Sequence, residues 1–144
     1  MAAADDARKA SDQFYGALNR MITGDASSMA EIWSQSATVT TMHPIGGREV
    51  GWEEVRGAWE QVAALGTGGT VSLNDQLFET AGDMAYEVGI ERGQMTLAGR
   101  NVPIEHRVTN VYRREADGWK IVHFHNTTID EAALRGASAP PPQK

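Results

Sequence analysis

The 144-residue sequence contains no cysteine, which excludes disulfides, thiolate nucleophiles and cysteine-based metal sites. A chain without disulfides suits a reducing compartment, so we expect a cytoplasmic location. The sequence also lacks any apolar run long enough to span a bilayer, and its polar start MAAADDARKA has no apolar core of the kind found in signal peptides. It therefore predicts a soluble protein that has no membrane partner.

An excess of positive charge is also missing. The chain has 13 lysines and arginines against 19 aspartates and glutamates, a formal net charge of −6. No basic patch spans a predicted face, which argues against a nucleic-acid partner. The sequence has no nucleophile elbow of the G-x-S-x-G kind and no phosphate-binding glycine loop with its lysine. We therefore expect no cofactor.

The composition that remains is that of an ordinary globular protein, with 41% hydrophobic and 22% charged residues. The length is most simply that of one domain, which we place at residues 1–130. Residues 131–144 end in the small and proline-rich sequence GASAPPPQK, so we expect a flexible tail there.

Apolar residues at helical spacing predict a first helix over residues 5–23 and a third over residues 52–65. Ser28 and Glu31 match a capping box, which predicts a short second helix. The β-branched run 37–42 predicts a strand, and the following PIGGREV is expected to be a loop. Three or four further strands are predicted, at about residues 70–79, 83–92, 102–114 and 119–128.

The element order is helix, helix, strand, helix and then a run of strands with short connections. This order predicts an α+β fold in which a curved antiparallel sheet carries three N-terminal helices on its concave face. A sheet covered in this way leaves a pocket at its open end, and such pockets are common ligand sites.

Four segments carry a resemblance to a known family: FYGALNRMITGD, IWSQSATVTTMHP, GGREVGWEEVRGAW and TNVYRREADGWKIVHFHNT. Over residues 8–130 the chain resembles the nuclear transport factor 2-like superfamily, and within it the SnoaL-like and ketosteroid-isomerase-like branch. The resemblance implies a cystatin-like cone with a central pocket. The superfamily holds isomerases, cyclases, dehydratases, hydrolases and non-catalytic proteins, so the fold does not define the function. The last segment also resembles the association domain of calcium/calmodulin-dependent kinase type II, a non-catalytic hub.

The resemblance implies roles for particular residues. In ketosteroid isomerases a general-base aspartate precedes a proline at the end of the first strand, where this sequence has His43 before Pro44. The oxyanion-hole aspartate of those enzymes lies in a Pro-Ile-Asp-His run, where this sequence has Glu105. Their helix-1 tyrosine aligns with Phe14, which has no hydroxyl, and Tyr15 points about 100° away around the helix. A histidine base is therefore implied, but steroid isomerisation by the known mechanism is not.

Glu105, Arg107 and Thr109 alternate along one predicted strand and therefore share a face. We expect this face to line the pocket, because the resemblance places Glu105 there. A neighbouring arginine stabilises a carboxylate, so Glu105 is a poor neutral proton donor. Arg107 is then the better candidate for holding an anionic carboxylate or enolate by forked hydrogen bonds. The alternative is a structural ion pair under the third helix.

The opposite face of this strand is predicted to lie outside and to form a dimer surface, because it carries apolar side chains where no helix covers the sheet. Its residues are His106, Val108, Asn110 and Tyr112. The last strand leaves two readings open: His123 and His125 inside, as in the isomerases, or Phe124 and Asn126 inside, as in the kinase hub. We favour the histidines. Metal binding by this H-x-H pair is a less favoured alternative.

The predicted function is binding of a small molecule, with cofactor-independent isomerisation, cyclisation or dehydration by proton transfer on a substrate that carries a carbonyl or carboxylate. The predicted catalytic residues are His43, Arg107 and His125. The predicted substrate-binding residues are Tyr15, Trp33, Trp59, Glu105 and Thr109. The alternative is a non-catalytic ligand-binding or dimeric assembly module of the same fold, and we expect a homodimer.

Overall fold

The computed structural model describes residues 2–44 and 46–129 of the chain. Its elements are α1 (Ala2–Met21), α2 (Met29–Ile32), β1 (Thr40–His43), β2 (Gly46–Val50), α3 (Trp52–Leu65), β3 (Gly66–Ala81), β4 (Met84–Leu97), β5 (Arg100–Glu115) and β6 (Gly118–Thr128). The tail predicted at residues 131–144 lies outside the described residues.

The six strands form one sheet in the order β2-β1-β6-β5-β4-β3. Neighbouring strands are antiparallel except for β1 and β6, which run parallel. The sheet is therefore mixed, which corrects the predicted antiparallel sheet. The sequence could not show this, because β1 and β6 are far apart in the chain and no hairpin sets their relative direction.

The helices lie on one side of this curved, open sheet, and the predicted α+β fold class is confirmed. The buried residues of α1 recur at helical spacing, which turns one apolar stripe toward the sheet. They include Ala7, Ala10, Phe14, Leu18 and Met21. The buried face of α3 consists of Val55, Trp59 and Ala63. These two stripes and the inner face of the sheet enclose the core.

Two glycines let the long strands β3 and β4 pair closely. A Cβ atom on Gly93 would lie 1.9 Å from the carbonyl oxygen of Thr70, and one on Gly69 would lie 2.2 Å from that of Gln94. Gly69 also has a φ of 124°, which L side chains rarely adopt. Glycine at such positions allows a sheet to bend without a steric clash.

Two local predictions are wrong. The segment predicted as a loop contains β2, in which Glu49 and Val50 pair with β1. The positive φ values of Gly46 and Gly47 belong to the turn that begins this strand. The capping box is also absent: Ser28 has helical dihedrals and no side-chain cap, and its Oγ accepts a hydrogen bond from Arg20 instead.

The described part of the chain contains no helix that combines the length and the apolar character needed to cross a membrane.

Candidate functional site

The face of strand β5 that lies against the helices is not the predicted one but the opposite one. Val108, Asn110 and Tyr112 are at most 4% exposed, whereas Glu105 and Arg107 are exposed on the outer face. Both faces mix apolar and polar side chains, so alternation groups the residues correctly but does not say which group lies inside. Two sets therefore exchange places: the predicted inner row of Glu105, Arg107 and Thr109, and the predicted dimer surface of His106, Val108, Asn110 and Tyr112.

Strand β6 follows the same correction. Phe124 and Asn126 are 2% and 6% exposed and face the helices, so the favoured reading with His123 and His125 inside is wrong. On the outer side, Nδ1 of His123 lies 2.7 Å from Oγ1 of Thr40. Partial burial, with a smaller contribution from His125, lowers the pKa of His123. Within residues 2–44 and 46–129, no three histidine, aspartate or glutamate side chains lie close enough to hold a metal ion.

Arg107, Thr109 and His125 do come together, but on the outer face of the sheet. They help to line a shallow groove of about 460 Å³ there. Glu105 is also outside, where it forms an ion pair with Arg92 at 3.3 Å. None of these side chains lies inside with His43, the predicted base on β1. Arg107 therefore cannot hold an anionic substrate group next to that base, as was predicted.

The other four predicted residues lie inside the cone. His43, Tyr15, Trp33 and Trp59 all lie between the helices and the sheet, and the last three are at most 9% exposed. The structure therefore keeps the base and the aromatic residues of the prediction. Their roles in binding a substrate remain predictions.

His43 ends β1 inside an aromatic environment. Its ring lies edge-on to Trp59 with the centroids 5.0 Å apart, and 5.7 Å from the ring of Phe124. Its side chain is 13% exposed, and its Nε2 is buried, 3.5 Å from Oε1 of Glu49. Burial lowers the pKa of His43, and the carboxylates of Glu49 and Glu91 partly oppose that shift. The imidazole is therefore neutral at pH 7, the form that can accept a proton.

A fully buried carboxylate, Glu87, lies deeper in the interior on β4. Among the described residues, its two oxygens accept hydrogen bonds from neutral donors only, at distances from 2.5 to 3.0 Å. These donors are Ser11, Gln76, Asn110 and Tyr112. Burial, strengthened by the carboxylate of Glu87, raises the pKa of Tyr112 well above its ordinary value, so this phenol keeps its proton and donates it.

A second buried carboxylate, Glu91, lies on the same face of β4, four residues further along the strand. It accepts hydrogen bonds from the hydroxyl of Tyr15 at 2.9 Å and from Nδ2 of Asn126 at 3.0 Å. Nδ1 of His106 lies 3.7 Å away. Asn110 connects the two carboxylates, since its Nδ2 donates to both Tyr15 and the deeper glutamate. A continuous polar network therefore runs through the interior.

The polar network reaches solvent at one end of the sheet. The side chains of His43, His106 and Glu49 are 13%, 15% and 22% exposed, and we call these three residues the rim. In the strand register, His106 on β5 pairs with Glu91 on β4. Met42 on β1 pairs with His125 on β6, so His43 and Asn126, which follow them, lie at the same level of the sheet. Glu91, which is buried, therefore lies directly behind the rim.

Sequence reasoning missed Glu87 and Glu91 because the pattern of apolar residues in β4 points to the wrong face. Ala85, Glu87 and Glu91 share one face with a glycine, whereas the other face carries Tyr86, Val88 and Ile90. The apolar set would ordinarily be assigned to the core. It lies outside, and this inversion explains why the partners of the glutamates, His106, Asn110 and Asn126, also had to be inside.

The fold is the one seen in nuclear transport factor 2-like proteins. A candidate dehydratase of the NTF2-like family from Streptomyces avermitilis is 24% identical, with a TM-score of 0.78 over 88% of this chain and 96% of that chain. A ketosteroid isomerase-like protein from Erwinia carotovora atroseptica is 18% identical, with a TM-score of 0.72 over the same shares. The CaMKII hub of S. rosetta is 20% identical, with a TM-score of 0.69, again over 88% and 96%.

These identities show a shared fold and no more. None of the curated proteins matches the chain in sequence. The SnoaL-like domain family, in contrast, matches residues 8–130. The chain belongs to the SnoaL-like domain family, and the resemblance inferred from its four sequence segments is confirmed.

Proposed function

We propose that this SnoaL-like protein binds a small molecule at the rim and moves a proton on it, with His43 as the general base. The observation that carries this proposal is the position of His43: its imidazole is mostly buried against Trp59 and Phe124, and its Nε2 has no hydrogen-bond partner in the described structure. An imidazole held in an apolar environment with a ring nitrogen left open suits proton transfer to and from carbon.

The chemistry supported best is enolisation next to a carbonyl group. His43 would take the proton from the carbon, the electron pair of that C–H bond would form a C=C bond, the π pair of the carbonyl would move to its oxygen, and the imidazolium would return the proton elsewhere on the substrate. Isomerisation, cyclisation and dehydration can all begin in this way. Nε1 of Trp59, a buried N–H without a partner among the described residues, is a candidate donor to the developing oxyanion, since the Trp59 ring borders His43. The carboxylate preference inferred from Arg107 loses its support.

We also propose that the protein is a homodimer and that its dimer surface is the outer face of β4. Met84 and Tyr86 are 41% and 44% exposed there, and Val88 and Ile90 continue the same face. An apolar sheet face of this kind is typical of contact with a second copy. Sedimentation should give twice the mass of one chain. The cytoplasmic location remains a prediction from the absence of cysteine.

A second function, that of a non-catalytic assembly module, is favoured by one observation. The rings of Phe14, Trp59 and Phe124 pack with centroids 5.2–6.1 Å apart, which fills much of the space beside His43. A filled interior is what an assembly module needs, and a hub domain is among the structures with this fold.

Deuterium exchange separates the two functions without knowledge of the substrate. The protein is incubated in D2O with a panel of cyclic and aromatic ketones, and exchange at the α-carbon is followed by NMR. We expect exchange with at least one ketone, a loss of about 100-fold or more in His43→Gln, and retention in the outer-face control His125→Gln. Equal loss in both variants, or exchange that survives His43→Gln, would contradict the assignment. The absence of exchange with every ketone would favour the assembly module.

A further inference from the structure

The interior contains two glutamates, Glu87 and Glu91, that pair with no lysine or arginine of the described residues. Glu87 and Glu91 are at most 1% exposed, and Glu49 adds a third carboxylate at the rim. In the part of the chain that the structure describes, no lysine or arginine side chain donates to Glu87 or Glu91. Their hydrogen-bond donors there are serine, tyrosine, asparagine and glutamine side chains, all of them neutral. A buried carboxylate is ordinarily paired with a cation, which comes from a protein side chain or from a ligand.

His106 is a weak source of that positive charge. Its Nδ1 lies 3.7 Å from Oε1 of Glu91, but the same nitrogen lies 3.0 Å from Nδ2 of Asn126. An amide Nδ2 can only donate, so Nδ1 of His106 is the acceptor in this contact. At 3.7 Å the same nitrogen makes no hydrogen bond to Glu91.

Asn126 supplies an independent sign of a ligand. Its Nδ2 donates to both Glu91 and His106, each at 3.0 Å, so the amide orientation is fixed from both sides. Its Oδ1 is left buried, with no hydrogen-bond partner among residues 2–44 and 46–129, although the side chain is only 6% exposed. A buried carbonyl oxygen without a donor is costly, and a molecule with N–H groups beside Glu91 would satisfy it.

The apolar wall beside the rim suits the same chemistry. Trp59 and Phe124 lie 5.2 Å apart at their ring centroids, and both border His43. These rings offer an apolar surface to the hydrocarbon part of a ligand. An anionic ligand in the same place would meet the carboxylates of Glu49 and Glu91. A cationic ligand therefore suits this place better than an anionic one.

We propose that the site behind the rim takes a ligand with a protonated amine, held between the carboxylate of Glu91 and Oδ1 of Asn126, with its apolar part against Trp59 and Phe124. This inference rests on the proposed function only for the location of the site. It narrows the substrate from any carbonyl compound to one that also carries an ammonium group.

Binding of three probes of similar shape and different charge tests this proposal: phenethylamine, phenethyl alcohol and phenylacetate, measured at neutral pH by calorimetry and ligand-observed NMR. We expect the amine to bind at least about 10-fold more tightly than the alcohol, and the anion more weakly still, because a charge-assisted hydrogen bond to a buried carboxylate is strong. Glu91→Gln should remove the advantage of the amine over the alcohol. The matched control Glu105→Gln, on the outer face, should leave it unchanged.

Three outcomes would overturn the proposal: no binding of the amine, equal binding of the three probes, or an advantage of the amine that survives Glu91→Gln. If Glu91→Gln does not fold, Asn126→Leu and the rim variant Glu49→Gln decide instead, and both should weaken the amine selectively. The test is separate from that of the proton transfer. A missing preference for the amine together with deuterium exchange that depends on His43 would leave the base in place and discard only the amine.

Discussion

Replacing Glu87 by glutamine tests the buried carboxylate network at its deepest point. Glutamine keeps the shape of the side chain but turns one acceptor oxygen into an NH₂ donor. Oε1 accepts from Asn110 and Tyr112 in the core. Oε2 accepts from Ser11, whose hydroxyl also reaches Oε1 at 2.9 Å, and from Gln76, which is partly exposed and can turn away. The new NH₂ should therefore take the Oε2 position. We expect a loss of about 1–3 kcal/mol of unfolding free energy, the cost of one unsatisfied buried group.

Replacing Glu87 by leucine should cost more, because it removes both acceptor oxygens. Three buried donors, those of Ser11, Asn110 and Tyr112, then lose their partner. Each buried donor left without an acceptor costs about 1–3 kcal/mol, so the loss of several acceptor contacts at once is a large part of the stability of an ordinary domain. An apolar substitution can be neutral when the whole set is replaced, but here the donors remain. The order of stability should be parent, glutamine variant, leucine variant.

Urea unfolding followed by circular dichroism measures these differences. Glu105→Gln is the matched control, since Glu105 has a side chain that is 46% exposed and an ion pair on the outer face. Its loss should be no more than about 1 kcal/mol, as is usual for surface ion pairs. If Glu87→Leu unfolds at the same urea concentration as the parent, the donors have found other partners. The reasoning that the carboxylate holds them would then be refuted.

Two further predictions follow from the same geometry. Burial lowers the pKa values of His43 and His123 below the ordinary 6.5, so the unfolded chain takes up these protons first as the pH falls; the unfolding free energy should be constant in this respect above pH 6.5 and decrease below it, and urea titrations of His43→Gln should show a smaller decrease. Tyr86→Lys on the outer face of β4 should convert a dimer to a monomer in sedimentation experiments, whereas Gln61→Lys on the exposed side of α3 should not; a dimer that persists in Tyr86→Lys would place the interface elsewhere.

The helices could be predicted from the sequence because a helix buried on one side carries one apolar stripe. Trp52 to Leu65 shows this stripe clearly, and the prediction matches α3 at both ends. The antiparallel hairpin of β5 and β6 could also be predicted, since a turn with Asp117-Gly118 joins two β-rich runs. Such local signals do not depend on what packs against the element.

The inner faces of β5 and β6 could not be predicted, because their partners lie on another strand. Asn110 and Asn126 are polar, and in isolation they belong on the surface. They are buried because Glu87 and Glu91 on β4 accept their hydrogen bonds. Along each of these strands, alternation produces two faces that both carry apolar and polar side chains. Only the pairing with β4 determines which face is buried. The alignment with the kinase hub had the correct face of β6, with Phe124 and Asn126 inside.

What then holds β4 with its glutamates inward, when a shift by one residue would bury Tyr86, Val88 and Ile90 instead? The hydrophobic effect alone favours the shifted register. The tight packing at Gly89 opposes it, since a Cβ atom there would lie 2.7 Å from the carbonyl oxygen of Asn74. Valine or isoleucine in that place would clash with the backbone of β3. The small residue therefore fixes the face, the hydrogen-bond donors satisfy the glutamates, and the displaced apolar side chains need a cover of their own. The acidic interior and the proposed dimer surface are thus two consequences of one strand register. If the protein proved to be a monomer, the apolar outward face of β4 would remain uncovered, and this account of the register would lack the burial that it requires.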